Sequence, residues 1–136
     1  MTIQHFDWIA HHASKHGDNL AMIDLHTNRA FSYAQFHDRV GRLASALRRQ
    51  HGVARGDRVA VLAHNSSDLC EIQFACARLG AIFVPMNWRL TVPELSYIVG
   101  DCAPVLLIHD PEFAGAAAQL AAACDVLPAV TKLPLL

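Results

Sequence analysis

From Arg58 to His109, short unbroken apolar runs alternate with stretches whose apolar residues recur at helical spacing. Arg58–Ala63, Ala81–Met86 and Val105–His109 are the runs. Arg58–Ala63 shows no polar alternation, as expected of a strand covered on both faces. Between them lie two periodic stretches. One carries the stripe Leu69, Ile72, Cys76 and Leu79, with cap candidates Asn65-Ser66-Ser67 before it and Gly80 after it. The other opens on a capping box, Thr91 and Glu94, with Pro93 in its first turn, and is expected to end at Gly100.

The flanking segments extend the pattern. Residues 3–16 are expected to form a helix, with Phe6, Ile9 and Ala13 on one side and Gly17 as its stop. Leu20–Leu25 and Arg29–Phe31 are extended runs joined by His26-Thr27-Asn28, which predicts a hairpin. Ser32 and Gln35 form a capping box, flanked by Phe31 and Phe36 at the staple positions. Phe36, Val40, Leu43 and Leu47 then make one apolar stripe, and Gly52 follows as the stop. After His109, Asp110-Pro111 opens an alanine-rich helix to about Cys124, and the tail holds room for one more short strand before its second proline. Strands separated by helices imply right-handed crossovers and a parallel sheet, with the hairpin and the first two helices on the same core. The length of 136 residues suggests a single domain.

Composition sharpens this picture. The chain is 53% hydrophobic and 17% charged, with a mean hydropathy of +0.23. That excess fits either a sheet buried on both faces or a surface meant to be covered. A net charge of −1 without a basic cluster argues against a nucleic-acid partner. No run is long enough to span a bilayer, and no apolar signal core follows the first methionine, so a cytoplasmic protein is expected. Cys70, Cys76, Cys102 and Cys124 lack CxxC spacing and are expected to be reduced, buried thiols.

Ligands of open α/β sheets gather at the carboxyl ends of strands. Three loops qualify: His64–Ser67, Asn87–Thr91 and His109–Asp110. The first could offer helix N–H groups to an anion, or Asn65 and the serines could simply cap. A relay of His64, Ser66 and Asp68 is conceivable, but no nucleophile elbow, GxGxxG or phosphate-loop pattern is present. His5, His12 and His16 share a narrow sector of the first helix, yet no third ligand is evident, so no metal site is expected. Asn87-Trp88-Arg89-Leu90 is the most informative loop. Arg89 could bind a phosphate bidentately, with Trp88 stacking on a flat group. Alternatively Arg89 pairs with a carboxylate and Trp88 covers the core edge.

In order and spacing, GVARGDRVAVLAHNS, FACARLGAIFVPMNWRLTVPELSYIV and DCAPVLLI, preceded by AMIDLHTNRAFSYAQFHDRVGRLASAL, resemble the N-terminal part of the adenylate-forming acyl-CoA synthetases, the AMP-dependent ligases. The resemblance implies a three-layer αβα fold with a mainly parallel sheet and a short N-terminal hairpin. It implies a fragment of a larger enzyme that uses ATP, Mg2+ and CoA to make an acyl-adenylate and then an acyl-CoA. The family's phosphate loop ending in Lys, its Tyr-Thr-Glu segment, its ribose-binding Asp and its C-terminal Lys have no counterpart in these 136 residues. The chain is therefore expected to be inactive alone, to bind none of these cofactors tightly and to hold no catalytic residue. Its partner would be the remainder of the enzyme, or a second copy through exposed apolar surface. Arg89 matches the arginine of the family's Asn-x-Arg-Leu segment, which implies a contact with the phosphates of CoA. Two other readings remain at this stage: a non-catalytic α/β interaction module, and a small nucleotide-binding domain using the helix start near Asn65.

Overall fold

The computed structural model describes residues 6–124 and 129–133. Helix α1 spans Trp8–His16, and its N-cap is Asp7, whose side chain accepts from the Ala10 N–H at 2.9 Å. Phe6 therefore precedes the helix, and the expected start at residue 3 lies outside the described residues. Strands β1 (Leu20–Asp24) and β2 (Arg29–Ser32) pair antiparallel. Their connector places Asn28 at φ 55°, a left-handed position that asparagine tolerates. Helix α2 (Tyr33–His51) opens on the expected box: Gln35 N–H donates to Ser32 Oγ at 3.2 Å, and Ser32 N–H donates to Gln35 Oε1 at 2.9 Å. Gly52, at φ 67°, closes it.

The second sheet holds β3 (Arg58–Leu62), β4 (Ile82–Met86), β5 (Leu106–His109) and β6 (Ala129–Lys132), all parallel, in the order β4-β3-β5-β6. Helix α3 (Ser67–Leu79) joins β3 to β4, and α4 (Val92–Cys102) joins β4 to β5. A short 3-10 turn (Pro111–Phe113) leads into α5 (Ala114–Ala122).

Alternation along the two central strands divides the core. Val59, Val61, Leu106 and Ile108 face Phe36, Val40, Leu43 and Leu47 of α2 and Ile72 and Cys76 of α3. Ala60, Leu62 and Leu107 face Leu95 and Val99 of α4 and Leu120 of α5. The result is the expected three-layer αβα arrangement beside a hairpin. A constant crossover hand requires this division, because the chain leaves β3 in one direction and returns past it in the other.

The outer strand β4 is an edge, and Ile82 is 51% exposed. The strand is apolar in sequence, but only one neighbour covers its length, and Pro85 within it suits an edge position. Helix α4 also runs two residues past Gly100, to Cys102. Its stop is Ala103, left-handed at φ 44° with its N–H on the Val99 carbonyl and followed by Pro104; Arg58 also donates to the carbonyls of Cys102 at 2.7 Å and Ala103 at 3.0 Å, placing a cation at the helix C-terminus. The expectation of buried cysteines holds for Cys76 alone; Cys70, Cys102 and Cys124 are half-covered. Burial pushes the Cys76 thiol up to about 12, so it is inert.

Candidate functional site

The carboxyl ends of β3, β4 and β5 carry the three loops singled out from the sequence. The loop after β3 leads to one face of the sheet and the loop after β5 to the other, so the crevice between them is the topological switch point. His64 N–H donates to Asp110 Oδ2 at 2.7 Å across this crevice. A cavity of about 560 Å³ opens there, lined by His26, Thr27, Asn65, Ser66, Asp68 and the His64–Asp110–Glu112 group.

The start of α3 beside it is not open to an external anion. Asp24, from the hairpin, places Oδ2 3.0 Å from the Ser67 nitrogen and 2.8 Å from Ser67 Oγ, both donating to it. Ser66 Oγ accepts from the Leu69 N–H at 3.2 Å. A buried carboxylate of the chain thus occupies the position where a phosphate would bind a helix N-terminus. The Ser67 N–H, then that of Thr27, hold the Asp24 carboxyl far below the usual carboxylate range, outweighing burial. This overturns the nucleotide-domain reading at Asn65. The capping role of the serines is what the structure retains.

The imagined relay also dissolves. Asp68 pairs with Arg29 at 3.1 Å and Arg39 at 3.8 Å. His64 Nε2 lies 2.8 Å from Glu112 Oε1, and Ser66 caps. Arg29 and Arg39 flank the Phe31 ring at 5.7 and 5.1 Å. Arg39 also forms a two-pronged pair with buried Glu71, one arm at 3.1 Å. These contacts fasten the hairpin and α2 to α3, and with them the rim of the cavity.

The loop after β4 behaves differently. Asn87 shapes its turn: its Oδ1 accepts from the Arg89 N–H at 3.1 Å, and its carbonyl accepts from the Leu90 N–H at 3.0 Å. Trp88 packs on the core shared with α4 and α5, as the simpler reading expected. Its ring also meets His64 edge-on at 4.5 Å and Phe113 at 6.2 Å. Arg89 departs from that reading. Its guanidinium lies over the Trp88 ring at 4.3 Å, in solvent, with no carboxylate partner among the described residues. A second cavity of about 280 Å³ runs from Asn65 and Leu69 to Asn87, Trp88 and Arg89.

On α1, the His12 ring stacks between Trp8 at 6.4 Å and His16 at 6.5 Å and meets Tyr33 at 5.0 Å. That face is an aromatic ladder. His5 lies outside the described residues. The grouping of three metal-capable side chains found among the described residues is instead His64, Asp110 and Glu112. Sequence reading missed it because 46 residues separate His64 from Asp110; the Asp-x-Glu spacing at 110–112, in a loop leaving a buried strand, was the available signal.

The AMP-binding enzyme family model matches residues 9–134. The indoleacetate–CoA ligase of Aromatoleum aromaticum is 43% identical over 125 residues, which are 92% of this chain and 23% of that protein. The inhibitor-bound N-terminal domain of FACL13 from Mycobacterium tuberculosis superposes with a TM-score of 0.83 at 31% identity, covering 96% of this chain and 33% of that one. ATP-bound MatB from Rhodopseudomonas palustris superposes with a TM-score of 0.75 at 32% identity, covering 85% of this chain and 22% of that one. The chain spans about a fifth to a quarter of the length of the curated relatives it matches. Relatives that are CoA ligases favour the ligase resemblance over the interaction-module reading. Matched over nearly all its length, and folded in the same layers as the N-terminal domain of a solved relative, this chain belongs to the AMP-binding enzyme family.

Proposed function

We propose that this chain supplies the N-terminal α/β layer of an acid–thiol ligase. In that reaction a carboxylate attacks the α-phosphate of ATP, in the presence of Mg2+, and releases pyrophosphate. The CoA thiol then attacks the acyl-adenylate, expelling AMP and leaving a thioester. Nothing among the described residues suits the triphosphate: the α3 N-terminus is filled by Asp24, and no lysine stands beside it. No step of the adenylation is therefore assigned to these residues.

The residue that fits a ligand of this reaction is Arg89. The observation that carries the proposal is its exposed, carboxylate-free guanidinium, held over Trp88 beside an open cavity. An arginine so placed keeps its forked donors for a phosphate oxygen pair, and stacking limits the rotamer freedom lost on binding. Arg89 accordingly binds a phosphate of the CoA nucleotide, while Asn87 holds the turn that presents it.

The ligase reading has a direct test. Pyrophosphate release by the purified 136-residue chain, given ATP, Mg2+, CoA and a panel of carboxylic acids, is expected to stay at the no-protein background. Turnover by this chain alone would overturn the assignment of adenylation to residues beyond it.

A further inference from the structure

We propose that His64, Asp110 and Glu112 form a binding site for a zinc-class divalent cation at the crevice between β3 and β5. One donor atom from each residue lies within 4.8 Å of the other two. An imidazole with two carboxylates is a mixed nitrogen and oxygen set that borderline cations accept and that the harder Mg2+ favours less. Three protein ligands leave a fourth position, which faces the cavity of about 560 Å³.

Charge is the second argument. Asp7, Asp24, Asp38, Asp68 and Glu71 each meet an arginine. Asp110 and Glu112, like the scattered Asp18, Asp57, Glu94 and Asp101, meet none among the described residues; unlike those four, they share one neighbour, His64. Two carboxylates converging without a lysine or arginine favour a cation between them.

Geometry is the third. The His64 ring is walled by Trp88 at 4.5 Å and Phe113 at 5.2 Å, so its direction is set by packing. Asp110 is fixed by the His64 N–H at 2.7 Å and by its own N–H on the Leu62 carbonyl at 3.0 Å. His64 Nε2 and Glu112 Oε1 are 2.8 Å apart as a hydrogen-bonded pair. Ligands about 2.0 Å from a tetrahedral ion sit about 3.3 Å from each other, so that pair must open by about half an ångström. Glu112 is exposed and free to make that adjustment. The bound ion bridges the loops after β3 and β5 and stiffens the edge of the sheet where ligands gather. This site stands independently of the ligase reading.

The probe is Zn2+ itself, titrated calorimetrically into the 136-residue chain carrying His11→Ala, His12→Ala and His16→Ala, which removes the competing imidazoles of α1. One saturable equivalent is expected. Glu112→Gln in the same background, whose exposed position leaves folding intact, is expected to weaken it roughly 100-fold. The His64 ring resonances should shift on zinc addition in the first protein. The proposal is overturned if no saturable binding is seen, if Glu112→Gln binds as tightly, or if the His64 resonances stay put.

Discussion

Replacing Asp24 by alanine is expected to lower the unfolding free energy by about 3 kcal/mol, because it strands buried donors as well as removing a charge. The carboxylate accepts from the N–H groups of His26 and Thr27 at 3.1 Å each and from Ser67 N–H at 3.0 Å and Oγ at 2.8 Å. Arg29 stands 3.5 Å away. Without Asp24 the start of α3 loses its counter-charge and the hairpin loses its main polar tie to the helix. The effect carries a pH signature. The folded-state pKa of Asp24 lies well below the unfolded value of about 3.9. Its stabilisation is therefore fully present above about pH 4 and is lost as the pH falls through the folded value. Urea unfolding of wild type and Asp24→Ala should show a gap that is constant from pH 7 to about pH 5 and narrows progressively below about pH 4. A gap under about 1 kcal/mol, or one that ignores acid, would contradict the assignment.

Phe36→Ala is expected to cost about 4 kcal/mol, the largest effect of any single truncation on the hairpin side of the sheet. Phe36 is 1% exposed, and its ring meets Phe74 of α3 edge-on at 6.0 Å and 86°. It is the point where α2, α3 and the face of β3 and β5 converge, so its removal opens a cavity that α2 cannot close while Arg39 and Glu71 hold it in place. Tyr97, at 77% exposure, is the control: Tyr97→Ala should change stability by less than about 0.5 kcal/mol. Equal losses from the two substitutions in a chemical melt would show that the core is not where the αβα layers put it.

The amphipathic stripe of α2 and its Ser32–Gln35 box were legible because every residue involved is local. So were the strands β3 and β5, whose apolar runs are covered by a helix layer on each face. What could not be read is what distant segments supply. The last carbonyls of α4 are bound by Arg58, 44 residues before Cys102, while the stop itself is the left-handed Ala103 rather than the nearby glycine. The N-terminus of α3 looked available to an anion, but Asp24, 43 residues upstream of Ser67, already fills it. The edge position of β4 was not read from its apolar run, although Pro85 within it was a signal for it. Arg89 was legible as a candidate by residue type and loop position. Its stacking on Trp88 rather than pairing with a carboxylate required the fold.

At the centre of this account is a redistribution: the helix start nearest the crevice is closed by the chain's own carboxylate, and an exposed cation, the one proposed to bind phosphate, stands one loop away at Arg89. Amide shift mapping with CoA at about millimolar concentration, suited to weak binding, tests that most directly. The account predicts shifts centred on Asn87, Trp88, Arg89 and Leu90, quiet amides at Ser67, Asp68 and Leu69, and loss of the response in Arg89→Ala. Shifts clustered at Ser67–Leu69, an unchanged response in Arg89→Ala, or no response at all would contradict it.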